Sequence, residues 1–142
     1  IGGTPKEGEE LITRFLSNMP KLKKLRDDVL KWSKDGTIPA LDGRRLHIRS
    51  PHAALNTLLQ GAGAIICKQW LVHITDHIRG SGVDAKLVAS IHDEYQFEVA
   101  KKDATKFGQI TKDAMKDTEK TLKVKCPLDC DFKIGTTWKE TH

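Results

Sequence analysis

A chain of 142 residues is long enough for one ordinary domain with a single core. Its 38% hydrophobic and 30% charged residues are a globular balance, which excludes disordered and fibrous classes, and no stretch reaches the roughly 18 apolar residues of a membrane span. The net charge of +5 favours a polyanionic partner, although a plain basic domain has the same balance.

The start, Ile1-Gly2-Gly3-Thr4, has no charged or apolar leader pattern and no initiator Met, so a chain processed or cut from something larger is expected. Three cysteines, an odd number, with no secretory signal point to reduced thiols and a cytoplasmic setting, the host cytoplasm if the source is viral. Cys126 and Cys130 form a lone C-x3-C, short of the four ligands of a closed zinc site.

In chain order, two helices over residues 5–35 come first. Thr4-Pro5 is an N-cap with Pro at the first helical position, and Pro20 opens the second helix, which stops at Gly36. Asp42-Gly43 then predicts a two-residue hairpin turn between Ile38 and Leu46. On the strand that follows, Leu46 and Ile48 share one face and Arg45, His47 and Arg49 the other. A basic front of this kind suits a phosphate backbone, and it equally suits a solvated edge strand.

Ser50-Pro51 caps a long helix over about residues 51–79, with Leu55, Leu58, Leu59, Ala62, Ile65, Ile66 and Gln69 as its apolar stripe. Asn56 and Gln60 stand one turn apart beside that stripe, and Gly61 and Gly63 thin the helix next to them. Mid-helix glycine costs about 1 kcal/mol, so close approach of a backbone, a ligand or a second helix is expected there. His73 and His77 lie one turn apart near the helix end, where packing against a neighbour is favoured over a metal site.

A hairpin over about residues 86–100 carries His92-Asp93-Glu94 at its tip. A helix from Lys101 to Leu122 and a strand from Leu128 to Ile134, with Leu128, Cys130, Phe132 and Ile134 on one face, complete the chain. The expected architecture is a single α+β unit over residues 1–142, antiparallel hairpins packed on long helices.

Turns normally use Gly, Asn or Pro, yet this tip carries two adjacent carboxylates. Like charges so close cost Coulomb energy unless a cation relieves it, and Mg²⁺ is the hard ion that takes oxygen ligands and phosphate. Acidic residues on exposed turns are also common in their own right.

The run from Asp42-Gly43-Arg44-Arg45 through Ser50-Pro51-His52-Ala53-Ala54-Leu55-Asn56 to Gln60 resembles the palm of the family A DNA polymerases of phages. Ile91-His92-Asp93-Glu94 resembles motif C of that family, and Gly135-x-x-Trp138-x-x-x-His142 is similar to the way its phage members end. The resemblance implies an α+β fragment of a polymerase palm, acting in nucleotidyl transfer during DNA replication. It implies that Asp93 holds catalytic metal, that Glu94 supports it, and that His92 touches the primer terminus. Asn56 and Gln60 would sense the minor groove, whose purine N3 and pyrimidine O2 accept hydrogen bonds in every base pair. Arg45, Arg49 and His52 would contact DNA; His52 stands where many bacterial members carry arginine.

By the same resemblance the expected cofactor is Mg²⁺. The expected partners are a DNA primer–template, deoxynucleoside triphosphates and the remainder of the polymerase chain. Nothing in the sequence matches the family's second aspartate motif or its fingers helix, so the isolated chain is expected to be inactive. Two other functions stay open. One is a non-catalytic DNA-binding palm remnant, or a subunit of a split polymerase. The other is a metal phosphohydrolase built on His92-Asp93, with His73, Asp76 and His77 as further ligands.

Overall fold

The computed structural model describes residues 2–142. These form two compact units, one running to Gly61 and the other Ala62–His142, each with its own apolar cluster. A single core is what the chain's length and composition suggest, and two small ones are built.

In the first unit, α1 (Pro5–Ser17) and α2 (Pro20–Trp32) each open on a proline, whose missing N–H has no partner to lose at that position. Thr4 and Glu7 cap α1 reciprocally, and Gly36, at φ 70, ends the 3₁₀ turn after α2. Two short strands follow, β1 (Thr37–Pro39) and β2 (Arg45–His47), with Thr37 opposite His47 and Pro39 opposite Arg45. Val29, Ile38 and Ala54 are buried together, with Leu25, Leu46, Ile48 and Leu58 packed around them.

The turn between β1 and β2 is longer than the two-residue type expected. The Ala40 N–H donates to the Arg44 carbonyl, and the Gly43 N–H donates to the Ala40 carbonyl. Leu41, Asp42 and Gly43 therefore form a three-residue loop, with Gly43 in the left-handed region at φ 86.

A 3₁₀ turn, Pro51–Ala53, leads into α3 (Ala54–Ile78). Gly61 explains itself: a Cβ there would stand 2.7 Å from a Leu46 methyl, so the strand packs into the groove that glycine leaves. Gly63 has open space around it. Leu59, placed on the apolar stripe by periodicity, is 54% exposed, because Ala54 and Leu58 face the cluster instead.

The second unit is built on the later turns of α3, a hairpin of β3 (Ala85–Ile91) and β4 (Glu94–Val99), and α4 (Ala104–Leu122). Trp70, Ile74, Val83, Phe107, Ala114 and Met115 are its core. Two tilted aromatic pairs fasten β4 to the helices: Trp70 on Tyr95 at 5.3 Å and Phe97 on Phe107 at 4.8 Å. The Trp70 indole N–H donates to the Thr111 carbonyl at 2.8 Å, which leaves that buried donor satisfied. Opposite Phe97 and Gln96 stand Leu87 and Ala89, so Val88 is an extra residue, a bulge that turns β3 between its base and its tip.

The strand expected from Leu128 to Ile134 does not form. The segment has no regular secondary structure and no ladder partner among the described residues: the Leu128 N–H goes to the Glu119 carboxylate and the Cys130 N–H to Asp129. Leu128 and Cys130 still pack on the core and the Phe132 ring lies against Gly108, while Ile134 is 55% exposed. The chain then forms α5 (Trp138–Thr141), capped reciprocally by Thr137 and Glu140.

Candidate active site

The tip of the β3–β4 hairpin is a two-residue turn, with Ile91 and Glu94 paired and His92 and Asp93 between them. His92 sits at φ 52, a left-handed conformation that glycine adopts freely and other residues adopt at a cost. Asp93 beside it is exposed, and its carboxylate has no hydrogen-bond or ion-pair partner among the described residues. It does reach electrostatically towards Cys67 on α3: that thiol is pushed up first by burial and then by the Asp93 charge.

Glu94 differs completely from its neighbour. Its Oε1 accepts from the Gln96 amide and its Oε2 lies 3.0 Å from His142 Nδ1. The Gln96 bond first, and the His142 bond after it, hold the Glu94 carboxyl below the ordinary glutamate range. Gln96 is itself held, because the Thr141 hydroxyl donates to its Oε1 at 3.0 Å. The segment that reaches back is short and well anchored. Glu140 accepts from the Thr136 N–H at 2.5 Å and the Thr137 N–H at 3.3 Å, and the Trp138 ring meets the His142 ring edge-on at 6.1 Å.

The other predicted residues all lie in the first unit. Arg45 is exposed on β2, and its guanidinium donates to the Thr37 hydroxyl from the strand opposite. Arg49 and His52 are exposed just beyond β2 and ahead of α3. Leu46 and Ile48 turn inward as the alternation requires. Asn56 and Gln60 are both exposed, i and i+4 on α3, so they share a helix face. The first unit thus carries Arg45, Arg49, His52, Asn56 and Gln60, and the second carries His92, Asp93 and Glu94.

Two alternatives lose their geometry. His77 Nε2 lies 3.0 Å from Asp117 and His73 Nε2 lies 3.0 Å from the Thr121 hydroxyl, so both histidines bind α3 to α4. His92 and Asp93 occupy a hairpin turn and not a helix, and no group of three His, Cys, Asp or Glu suited to a metal occurs among the described residues. Cys126 and Cys130 are free thiols. Sequence reasoning missed Gln96, Thr141 and His142 as parts of the site. The readable signal was Thr137-x-x-Glu140, a capping box that predicts a helical turn ahead of His142.

Residues 1–140 match the family model for DNA polymerase family A. Over its whole length the chain is 35% identical to a DNA-directed DNA polymerase of Enterobacteria phage T3 and 33% identical to that of Escherichia phage T7. It spans 23% of the length of each. A solved polymerase domain of Pol1 from M. smegmatis, in complex with DNA primer-template and dNTP, has the same fold over 90% of this chain and 24% of its own. The TM-score there is 0.72 at 23% identity. The chain belongs to DNA polymerase family A, and the α+β fold is that of a piece of a polymerase domain.

Proposed function

We propose that this chain supplies one catalytic carboxylate, Asp93, to the nucleotidyl-transfer site of a DNA-directed DNA polymerase, together with contacts to the primer–template. The observation that carries the reading is the contrast at the hairpin tip. A strained turn presents one carboxylate with no partner, next to a second that is held by two. Strain of about 1–3 kcal/mol persists at a turn only where the surroundings over-determine it, which is characteristic of active sites.

Asp93 fits Mg²⁺ in kind, as a free hard oxygen donor, and this chain offers that one donor; the remaining ligands belong to the rest of the polymerase chain. When bound, the metal pair activates the primer hydroxyl and neutralises the triphosphate. Glu94 keeps the turn in place. His92, pushed outward by the turn, meets the primer terminus. In the other unit, Arg45, Arg49 and His52 position the DNA through phosphates, and Asn56 and Gln60 probe the groove with neutral amide donors. Similar proteins support these partners: two are DNA-directed DNA polymerases of phages, and one is a polymerase domain in complex with primer-template and dNTP.

The test is Asp93→Ala in the complete enzyme, with single-nucleotide incorporation and primer–template affinity measured side by side. Loss of incorporation with binding retained supports the assignment, and near-normal incorporation ends it. The chain alone, a quarter of the relatives' length, gives no template-directed extension on this reading. Extension by the purified chain overturns that part. A DNA-binding module without catalysis predicts the opposite pattern for Asp93→Ala, with incorporation by the complete enzyme unchanged.

A further inference from the structure

The carboxylate held at the hairpin tip is held from a distance in sequence. One partner, His142, lies 48 positions away, and the other, Gln96, is held by Thr141, 45 positions beyond it. We propose that Gln96, Thr141 and His142 are positioning residues, a clamp on Glu94 that fixes the His92-Asp93 turn and aims the Asp93 carboxylate. The proposal rests on the reading of Asp93 as the catalytic carboxylate.

Each link is constrained. Gln96 donates to one Glu94 oxygen and His142 stands at the other, so both oxygens are engaged and Glu94 acts as a strut. The Thr141 hydroxyl donates to the Gln96 carbonyl oxygen, which leaves the Gln96 nitrogen facing Glu94. Thr141 and His142 are placed by α5, whose start is fixed by Glu140 on the Thr136 and Thr137 N–H groups. Gly135 makes that start possible, because a Cβ there would come within 2.5 Å of the Glu140 Cβ. Glu94 is the first paired residue after a left-handed histidine, the point where a restraint most directly opposes relaxation of the turn. The other charged group facing Glu94 is Lys133, whose ammonium also donates to the His142 carbonyl at 3.2 Å.

The experiment uses the complete enzyme carrying His142→Phe, His142→Asn, Thr141→Val or Gln96→Met. The phenylalanine keeps a ring against Trp138 and loses the donor; the asparagine places an amide nitrogen where Nδ1 stands. Outer-shell partners typically contribute about 10–100-fold, so kcat falls about tenfold in the Phe, Val and Met variants with primer–template Kd unchanged. His142→Asn restores most of it. Amide exchange at residues 91–95 quickens in the Phe variant and returns to normal in the Asn variant.

A purely structural role gives a different result: lower melting temperature, Kd and kcat moving together, and no rescue by asparagine. That outcome overturns the clamp. So do wild-type kinetics in all four variants when Asp93→Ala, run alongside, is inactive. If Asp93→Ala is itself active, the catalytic reading fails first and the clamp falls with it.

Discussion

The described residues contain two antiparallel hairpins of the same topology and opposite turn chemistry. At the β1–β2 loop the left-handed position is Gly43, and the acidic residue, Asp42, is consumed locally by the Arg44 guanidinium at 2.6 Å. At the β3–β4 turn the left-handed position is His92, and the acidic residue at the tip, Asp93, is left free. The first turn has what its backbone asks for. The second violates local preference twice, and places where local and global demands conflict are where function is expected.

The largest expected effect tests that contrast at the two aspartates. Removing the Asp93 carboxylate costs transition-state charge stabilisation worth several kcal/mol, so Asp93→Ala lowers kcat of the complete enzyme by roughly 10³ or more. Asp42→Ala, the matching change in the other hairpin, removes an exposed, solvent-screened ion pair and leaves kcat within a few-fold. Equal losses from the two variants break the comparison.

The second effect sharpens what the β1–β2 hairpin does. Arg45→Ala and Arg49→Ala each reduce the slope of log affinity against log salt by about 0.9, because each guanidinium releases one counterion from duplex DNA. Asn56→Ala and Gln60→Ala leave the slope alone and slow extension from a matched primer, since an amide releases no counterion. A common shift in slope for all four, or none in extension, makes the basic strand an ordinary solvated edge.

Much of this was legible in the sequence. Pro5, Pro20 and Pro51 mark helical starts because proline is tolerated only at the first turn, and His92-Asp93-Glu94 stood out as the wrong chemistry for a turn, although the structure pairs Glu94 with Ile91 and leaves only residues 92 and 93 in the turn itself. The failures are equally physical. Leu128 to Ile134 alternates like a strand, but alternation specifies a face and not a ladder partner, and the segment has none. Leu59 has helical periodicity, yet which side of a broad apolar stripe is buried depends on β2, which packs through Gly61. The grip on Glu94 spans 48 residues and no local pattern announces it.

Exchanging turn chemistry is the third test, and its two arms have opposite signs. Gly43→Ala puts a Cβ where φ is 86 with no atom within 4 Å, so the cost is conformational alone, about 1–2 kcal/mol. His92→Gly relieves strain of the same origin, offset in part by the greater freedom of glycine in the unfolded chain, and stabilises its hairpin by up to about 1 kcal/mol. Native-state amide exchange across each hairpin reads both changes locally. The stabilised His92→Gly enzyme is also the slower one at primer extension. A variant that is both more stable and fully active removes the functional reading of the turn.

The smallest effect concerns the two carboxylates that are satisfied. Asp42 is held below the ordinary aspartate range, first by its hydrogen bond from Arg44, and Glu94 below the glutamate range, first by Gln96. A depressed folded pKa contributes stability that is complete above the unfolded value, about 3.9 for Asp and 4.3 for Glu, and is lost as pH falls through the folded value. Both hairpins therefore loosen on acidification from about pH 4 downward, and neither responds to pH from 5 to 7 through these groups. Salt separates them. At about 1 M the Debye length is about 3 Å, so the exposed Asp42–Arg44 ion pair weakens and the apparent pKa of Asp42 returns towards its ordinary value. The leading partner of Glu94 is a neutral amide, with no net charge for salt to screen, so its pKa stays depressed. Carboxyl chemical shifts followed against pH at low and high salt read both groups in one sample. Parallel salt shifts at Asp42 and Glu94 mean that Glu94 is held by charge, through His142 and Lys133, rather than by the Gln96 amide, and the clamp's central link is then a different one.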